Sequence, residues 1–268
     1  MSNNVSLIIP IGGNVNVDLL KKTLSFSKKV GYELIIVADE EKSLFFDGDW
    51  DEVLQIARLY SDKLIFSPSE SYFRRGSIWL KLLMGVKEAT NPWIRFCGYD
   101  DFSYPSAFVQ TNLNCVAICT DVKIDHIDSP EVSILQKAPR NCYQAIVNGW
   151  RNPFSFIGWT IRAEILKSEN FNDIFLKGAF FFEKILHIKL FSEKWVWIDA
   201  AQYGGHPIRI EHPATISSGS KSAEFAELRK IAQLMGGYSE SDRDADWRSL
   251  NILHQTTKMM AINLLRRQ

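Results

Sequence analysis

Apolar residues in the first hundred positions come in two patterns. Some form short runs rich in β-branched residues, too short for helices, which predicts buried strands. These runs lie at 5–10, 33–38, 63–66 and 93–97. Between them, apolar residues recur three and four positions apart, which predicts amphipathic helices. These helices are expected near 19–30, 50–59 and 77–90. The alternation favours an α/β fold with a mostly parallel sheet and helices on both faces.

The pattern is less regular after Pro105. Further strands are predicted at 115–120 and 195–198, a hairpin at 122–127 and 132–135, and helices at 162–166 and 179–191. The segment 204–222 is rich in Gly, Pro, Ser and His, which predicts a long loop. Two helices are expected to close the chain, at 224–235 and 247–267.

Composition excludes several classes of function. The chain has 268 residues, and its 31 Lys and Arg balance 31 Asp and Glu, so no global field attracts nucleic acid. No apolar run approaches the roughly 18 residues that span a bilayer. The first residues lack a signal-peptide pattern, and the four cysteines contain no CxxC pair. Reduced, buried thiols and a cytoplasmic location are therefore expected.

Acidic residues follow two of the predicted strands. Asp39 follows the second strand, and Asp100 and Asp101 follow the fourth. Parallel sheets bind ligands beyond the carboxyl ends of their strands, so all three carboxylates are expected on the ligand-binding edge.

Two interpretations of the Asp100–Asp101 pair are open. Adjacent carboxylates at a strand end repel each other, and a divalent cation that also holds phosphate oxygens would offset that repulsion. Alternatively, the pair caps a helix that begins near Pro105. The position after a buried strand favours the metal and phosphate site. Asp39 is similarly either a turn cap or an acceptor for a base or ribose.

The order of these segments resembles a known family. VSLIIP, ELIIVAD, a helix that ends in GVKEAT, and PWIRFCGYDD resemble the front half of family 2 glycosyltransferases of the GT-A fold. The resemblance covers roughly residues 5–105 and weakens towards about 220. It implies a GT-A domain over 1–220, with a nucleotide-binding half at 1–104 and an acceptor half at 105–220. A helical extension is then expected at 221–268.

The resemblance also implies a reaction. Pro10 and Asp39 would line the nucleotide pocket, Asp100 would contact metal and diphosphate, and Asp101 would share the metal, which is Mn²⁺ or Mg²⁺. The expected activity is inverting transfer of a sugar from a nucleoside-diphosphate sugar, with UDP-sugars favoured, to a hydroxyl. The acceptor would be a glycan or lipid-linked glycan in bacterial surface polysaccharide synthesis.

The sequence departs from the family pattern at two places. Gly98 stands where the family usually has Asp, so Asp101 is expected to supply the lost charge, or the dependence on metal is weak. Leu82 and Leu83 replace an Arg-Asn pair in the third helix. Its contacts would then come from Arg74 or Arg75, or be absent.

The second half is expected to hold the acceptor site. Glu183 aligns with the family's catalytic base, and its alternative is a solvent-facing glutamate paired with a neighbouring side chain. The polar segment 206–221 resembles the family's closing region. Its candidates for diphosphate contact are Arg209, His212 and Lys221. Alternatively, the segment is an ordinary surface loop.

Two tryptophans and the last predicted helix each have two possible interpretations. Trp150 and Trp159 form either an acceptor platform or part of the core. The last helix either docks on the core or attaches peripherally at the inner face of a membrane.

Two alternative functions would require different features of the chain. A sugar nucleotidyltransferase would need a basic glycine-rich loop after the first strand, and residues 11–14 have glycines but no nearby Lys or Arg. A catalytically degenerate domain would bind a glycan or a partner without a nucleotide.

Overall fold

The computed structural model describes residues 4–12, 15–40, 48–67, 76–103, 114–127, 129–138, 156–168 and 195–211. The strands are β1 (Val5–Ile11), β2 (Glu33–Asp39), β3 (Lys63–Ser67), β4 (Trp93–Phe96), β5 (Ala117–Cys119), β6 (Val122–His126), β7 (Ser129–Gln136), β8 (Trp159–Arg162), β9 (Trp195–Trp197) and β10 (Ile208–Glu211). The α-helices are α1 (Val17–Val30), α2 (Trp50–Tyr60), α3 (Gly76–Glu88) and α4 (Ala163–Lys167).

Local chemistry determines where the helices begin and end. The Asn16 side chain accepts a hydrogen bond from the backbone N–H of Leu19 at 3.1 Å, which caps α1. Gly31 ends α1 with a φ of 86°, a conformation that favours glycine. The Asp49 carboxylate caps α2 by accepting from the backbone N–H of Asp51 at 2.9 Å.

The main sheet of the described residues has seven strands in the order β3-β2-β1-β4-β8-β5-β9. β8 is antiparallel to both of its neighbours, and the other strand pairs are parallel. The four strands of the first half, β3-β2-β1-β4, are thus parallel, as the sequence predicts. β1 and β2 are buried along nearly their whole length, which places the core around them.

The strand order reverses between β1 and β4. The chain runs outward from β1 through β2 to β3, and then returns across the sheet to place β4 on the other side of β1. Helix α1 packs with α2, and α3 packs with α4. Ligands of open α/β sheets bind beyond the strand ends at such a reversal. The fold therefore places the predicted acidic loops at the crevice.

A second sheet of three strands, in the order β10-β6-β7, adjoins the ligand edge. β6 and β7 form the predicted hairpin. β10 lies parallel to β6, with Ile208 opposite Lys123 and Glu211 opposite His126. The prediction of a loop over 204–222 is wrong at 208–211. Its high glycine and proline content obscured a short strand that pairs with β6.

The other difference lies at β8. Phe156–Gly158 form a short 3₁₀ turn that leads into β8, a strand that the sequence pattern does not predict. The sequence predicts a helix from Arg162, whereas Arg162 is the last residue of β8 and α4 begins at Ala163.

Other expectations have mixed outcomes. Cys97, Cys115 and Cys119 are buried free thiols, as expected. In the described part of the chain, no helix is long and apolar enough to cross a membrane. The helices predicted at 179–191, 224–235 and 247–267, and the boundary at 220, lie outside the described residues.

Candidate functional site

The carboxyl ends of β1, β2 and β4 bring three chain segments to one edge of the sheet. Pro10 and Gly12 lie at the end of β1, Asp39 ends β2, and Asp100 and Asp101 follow β4. In the register of β1 and β2, Pro10 lies opposite Val37, which precedes Asp39 by two residues. The fold thus brings the predicted residues of this half to the same edge.

Asp39 forms an ion pair with Lys81 of α3, whose side chain is buried. The Lys81 Nζ lies 2.7 Å from Asp39 Oδ1 and donates to the backbone carbonyl of Ile11 at 2.9 Å. Ser67 Oγ, at the end of β3, donates to the same Asp39 oxygen at 3.2 Å. Burial lowers the pKa of Lys81, and the neighbouring Asp39 carboxylate acts against that change. The contacts join four elements at one carboxylate.

Gly12 is required by this ion pair. A Cβ at Gly12 would lie 2.2 Å from both Asp39 Oδ2 and Lys81 Nζ. The ion pair therefore packs directly over the backbone that follows β1. A side chain at position 12 would displace it.

Asp100 and Asp101 converge beside Gly98. A Cβ at Gly98 would lie 2.6 Å from Asp100 Oδ1 and 2.8 Å from Asp101 Oδ2. Both carboxylates thus face the volume that a side chain would take at position 98. Any side chain at position 98 would therefore have to displace these two carboxylates.

Asp101 also connects this loop to β10. Asp101 Oδ2 accepts from the backbone N–H of Gly98 at 3.0 Å, and Oδ1 accepts from the backbone N–H of Ile210 at 3.3 Å. Phe102 and Ile208 exchange two backbone hydrogen bonds of 2.7 and 2.8 Å. These contacts bring Arg209 of β10 close enough to influence the Asp101 carboxylate.

The electrostatics of the loop favour binding of positive charge. Burial raises the pKa of Asp101 to about 7, and the neighbouring Asp100 carboxylate adds to the increase. Arg209 and the two backbone N–H donors act in the opposite direction. Burial and the same carboxylates raise the pKa of Cys97 and of Tyr99. The site therefore holds carboxylate charge at a cost that a cation would reduce.

The donor set fits a hard divalent cation that is shared with a ligand. Asp100 and Asp101 each bring one carboxylate oxygen close to Gly98, and carboxylate oxygens are ligands that Mg²⁺ and Mn²⁺ accept. Among the described residues, no group of three or more His, Cys, Asp or Glu side chains could hold a metal. A metal here would need further oxygen ligands, as Mg²⁺ obtains from phosphates and water.

A buried arginine of β4 connects the loop of Asp100 and Asp101 to the sheet. Arg95 of β4 is 1% exposed and donates from Nε to Thr160 Oγ1 on β8 at 3.0 Å. Its Nη1 donates to Ser103 Oγ at 2.9 Å and to the Tyr32 hydroxyl at 3.1 Å. These contacts hold both ends of the acidic loop to the sheet.

The remaining residues that the sequence singles out either lie in the core or fall outside the described residues. Trp159 is 1% exposed and packs edge-on against Trp195, so its place is in the core rather than on an acceptor platform. Leu82 and Leu83 are buried core residues and offer no ligand contact. The other predicted positions lie outside the described residues: Arg74, Arg75, Trp150, Glu183, His212 and Lys221.

Sequence reasoning missed Lys81 and the structural role of Arg95. A signal for Lys81 is its spacing, three residues after Ile78 and four before Gly85, which places it on the apolar face of α3. The corresponding signal for Arg95 is an arginine inside a four-residue strand that is otherwise apolar. A charged residue at a buried position needs a partner, which for Lys81 is the Asp39 carboxylate and for Arg95 is a set of buried hydroxyl groups.

Comparisons with known proteins support the fold. No protein-family model matches the sequence, and no curated protein matches it. Solved structures of S. aureus TarS match 93% of this chain. The 1–349 form in complex with UDP is 13% identical with a TM-score of 0.52, and the form in complex with UDP-GlcNAc is 16% identical with a TM-score of 0.53.

The match spans 70% of the TarS 1–349 chains and 42% of the longer TarS chain. At these identities the likeness shows the fold, which is the predicted GT-A type of α/β fold. Assignment to family 2 stays a prediction.

Proposed function

We propose that this chain is a nucleotide-sugar-dependent glycosyltransferase that uses the edge beyond β1, β2 and β4 as its donor site. The observation that carries the proposal is the convergence of Asp100 and Asp101 beside Gly98, at the reversal of strand order. The same type of fold in S. aureus TarS has been solved with UDP and with UDP-GlcNAc, which favours a UDP-sugar as donor.

Each described residue has a proposed task. Pro10 and Asp39 border the nucleoside, since they lie at the carboxyl ends of the neighbouring strands β1 and β2. Asp100 and Asp101 face the diphosphate through a divalent metal, either Mn²⁺ or Mg²⁺. When bound, such a metal would neutralise charge on the departing diphosphate. We propose that Arg209, which influences the Asp101 carboxylate from β10, contacts a diphosphate oxygen.

The proposed transfer inverts the configuration of the sugar and uses Glu183 as the base. One carboxylate takes the proton of the acceptor hydroxyl while that oxygen attacks the anomeric carbon and the bond to the nucleoside diphosphate breaks. We further propose a glycan or lipid-linked glycan as acceptor, in the synthesis of a bacterial surface polysaccharide.

A screen of donors tests the proposal. Thermal unfolding is measured with UDP-, GDP-, dTDP- and CMP-sugars, with and without Mn²⁺, and release of the free nucleotide is followed by chromatography. We expect stabilisation and slow hydrolysis with a UDP-sugar. Glycan binding without stabilisation by any nucleotide sugar would instead support a catalytically degenerate domain.

Replacement of the proposed base separates binding from chemistry. Glu183→Gln removes the proton acceptor and retains the size of the side chain, so we expect unchanged donor affinity and transfer reduced by about 10²–10⁴-fold. The measurement is the transfer rate together with the donor Kd. Transfer at the wild-type rate would exclude Glu183 as the base.

A further inference from the structure

The acidic loop begins and ends at one buried contact. Arg95 lies inside β4, and Ser103 follows it by eight residues, with Asp100 and Asp101 between them. Arg95 Nη1 donates to Ser103 Oγ at 2.9 Å, and each of the two residues is at most 1% exposed. The contact therefore closes the loop at its base and has almost no surface to offer a ligand.

The Arg95 guanidinium is itself fixed by the rest of the fold. Its Nε and Nη2 donate to Thr160 Oγ1 on β8 at 3.0 and 2.6 Å, and its Nη1 also donates to the Tyr32 hydroxyl at 3.1 Å. The hydroxyls of Tyr32 and Ser103 are 3.2 Å apart and share a hydrogen bond. Because a guanidinium is planar and its N–H donors have a fixed arrangement, these bonds determine its orientation. Ser103 is thus held to a rigid group.

Contacts within the loop connect its base to the two carboxylates. The backbone N–H of Asp101 donates to the carbonyl of Gly98 at 3.3 Å, and Cys97 Sγ donates to the carbonyl of Asp101 at 3.4 Å. Phe102 packs edge-on against Phe26 of α1, with ring centroids 5.6 Å apart. A thiol is a weak donor, so the thiol contact adds little rigidity. The place of the carboxylates therefore depends on where the ends of the loop are held.

We propose that Arg95, acting through Ser103, is a positioning residue that holds Asp100 and Asp101 where a metal-bound diphosphate binds. A divalent cation needs its oxygen ligands at defined positions, and groups that orient such ligands are typically worth about 10–100-fold in affinity. The inference rests on the proposed function, since it assumes that the metal and the diphosphate bind at this loop. Arg95 and Ser103 act through the loop and do not touch the ligand.

Ser103→Ala tests the inference, since it removes one hydroxyl and leaves Arg95 bonded to Thr160 and Tyr32. Titration calorimetry measures the Kd of UDP without and with Mn²⁺, and the ratio of the two values is the Mn²⁺ enhancement. We expect Ser103→Ala to lower this enhancement by about tenfold relative to wild type. The affinity for UDP without metal is expected to change by less than about threefold.

Ser6→Ala is the matched control. Ser6 is also a fully buried serine, which donates to Glu33 and accepts from the backbone N–H of Asn91 at 3.2 Å. It lies where β1 begins, at the opposite edge of the sheet. Both variants are expected to lose stability, and Ser6→Ala is expected to keep the wild-type Mn²⁺ enhancement. An equal loss of enhancement in the two variants would show that stability alone sets it, and would overturn the inference.

Alkylation of Cys97 reports on the loop without metal or nucleotide. Cys97 lies in the loop, whereas Cys115 and Cys119 are free thiols buried elsewhere. The folded, metal-free protein is treated with iodoacetamide, and mass spectrometry measures the rate at each thiol. We expect Ser103→Ala to raise the rate at Cys97 by at least about threefold relative to Cys119, because a lost hydrogen bond favours local opening. A general opening of the fold would raise the rates at all three thiols alike.

Tyr32→Phe distinguishes the two partners of Ser103. It removes the Tyr32 hydroxyl and retains the bond between Arg95 and Ser103, so we expect nearly wild-type Mn²⁺ enhancement and Cys97 alkylation. Losses as large as those in Ser103→Ala would assign the positioning role to Tyr32 and overturn the role of Arg95.

The inference and the proposed function fail in different ways. Wild-type enhancement together with wild-type alkylation of Cys97 in Ser103→Ala would overturn this inference alone. Failure of wild type to bind any nucleoside diphosphate, with or without Mn²⁺, would overturn the proposed function and this inference with it.

Discussion

Gly98 shows how one residue determines the geometry of the proposed site. The two carboxylates that follow it occupy the space where its Cβ would be, at 2.6 and 2.8 Å. Gly98→Ala is expected to push Asp100 and Asp101 apart and to lower the affinity for UDP with Mn²⁺ by about tenfold or more. Titration calorimetry measures this change.

Gly85→Ala is the control for that substitution. A Cβ at Gly85 would lie 2.5 Å from Ile8 Cγ2, in the core between α3 and β1. It is expected to alter the stability of the fold and leave the affinity for UDP unchanged. Equal losses of affinity in the two variants would show that Gly98 acts only through stability.

The raised pKa of Asp101 predicts a pH dependence of stability. The folded protein holds a proton at Asp101 up to about pH 7, whereas the unfolded chain releases it near pH 4. Folding thus takes up a proton between these values, and the metal-free protein should lose stability as the pH rises through this window. The loss relative to Asp101→Asn is expected to be on the order of a few kcal/mol.

Denaturant unfolding between pH 4 and pH 8 measures this difference. Mn²⁺ together with UDP should remove most of it at pH 8, since a bound cation favours the ionised carboxylates. A difference between wild type and Asp101→Asn that does not change with pH would exclude protonation of Asp101 in the folded protein.

At the scale of elements, β10 is the part that holds the site together. The backbone N–H of Ile210 donates to Asp101 rather than to another strand, so Ile210→Pro removes one defined contact. Proline also keeps the preceding Arg209 in an extended conformation. The expected result is a loss of about 1–3 kcal/mol in unfolding free energy and a weaker affinity for UDP.

Ile210→Val is the control because it retains the N–H and most of the apolar side chain. Thermal unfolding and UDP titration should show lower stability and weaker UDP affinity for Ile210→Pro than for Ile210→Val. If Ile210→Pro binds UDP like the valine variant, then β10 does not position the acidic loop.

The first-half elements could be predicted because each carries a local signal. β1 and β2 are continuous apolar runs, and Gly31 ends α1 in a conformation that glycine favours. β8 and β10 have four residues each, and their pairing depends on partners more than 30 positions away. Sequence periodicity contains no information about such partners, so these strands were missed.

At the scale of the molecule, topology identified the site better than the motif did. Asp100 and Asp101 alone resemble a helix cap, and the place of β4 beside the reversal of strand order is what makes them a candidate ligand site. The pairing of Asp39 with Lys81 could not be predicted in this way, because it depends on how α3 lies across β1 and β2.

Binding of UDP to wild type and Asp100→Asn, with and without Mn²⁺, tests the central claim most directly. We expect wild type to bind UDP, Mn²⁺ to tighten binding by at least about tenfold, and Asp100→Asn to lose that enhancement while staying folded. A wild-type protein that binds neither UDP nor any other nucleoside diphosphate, with or without Mn²⁺, would contradict the account.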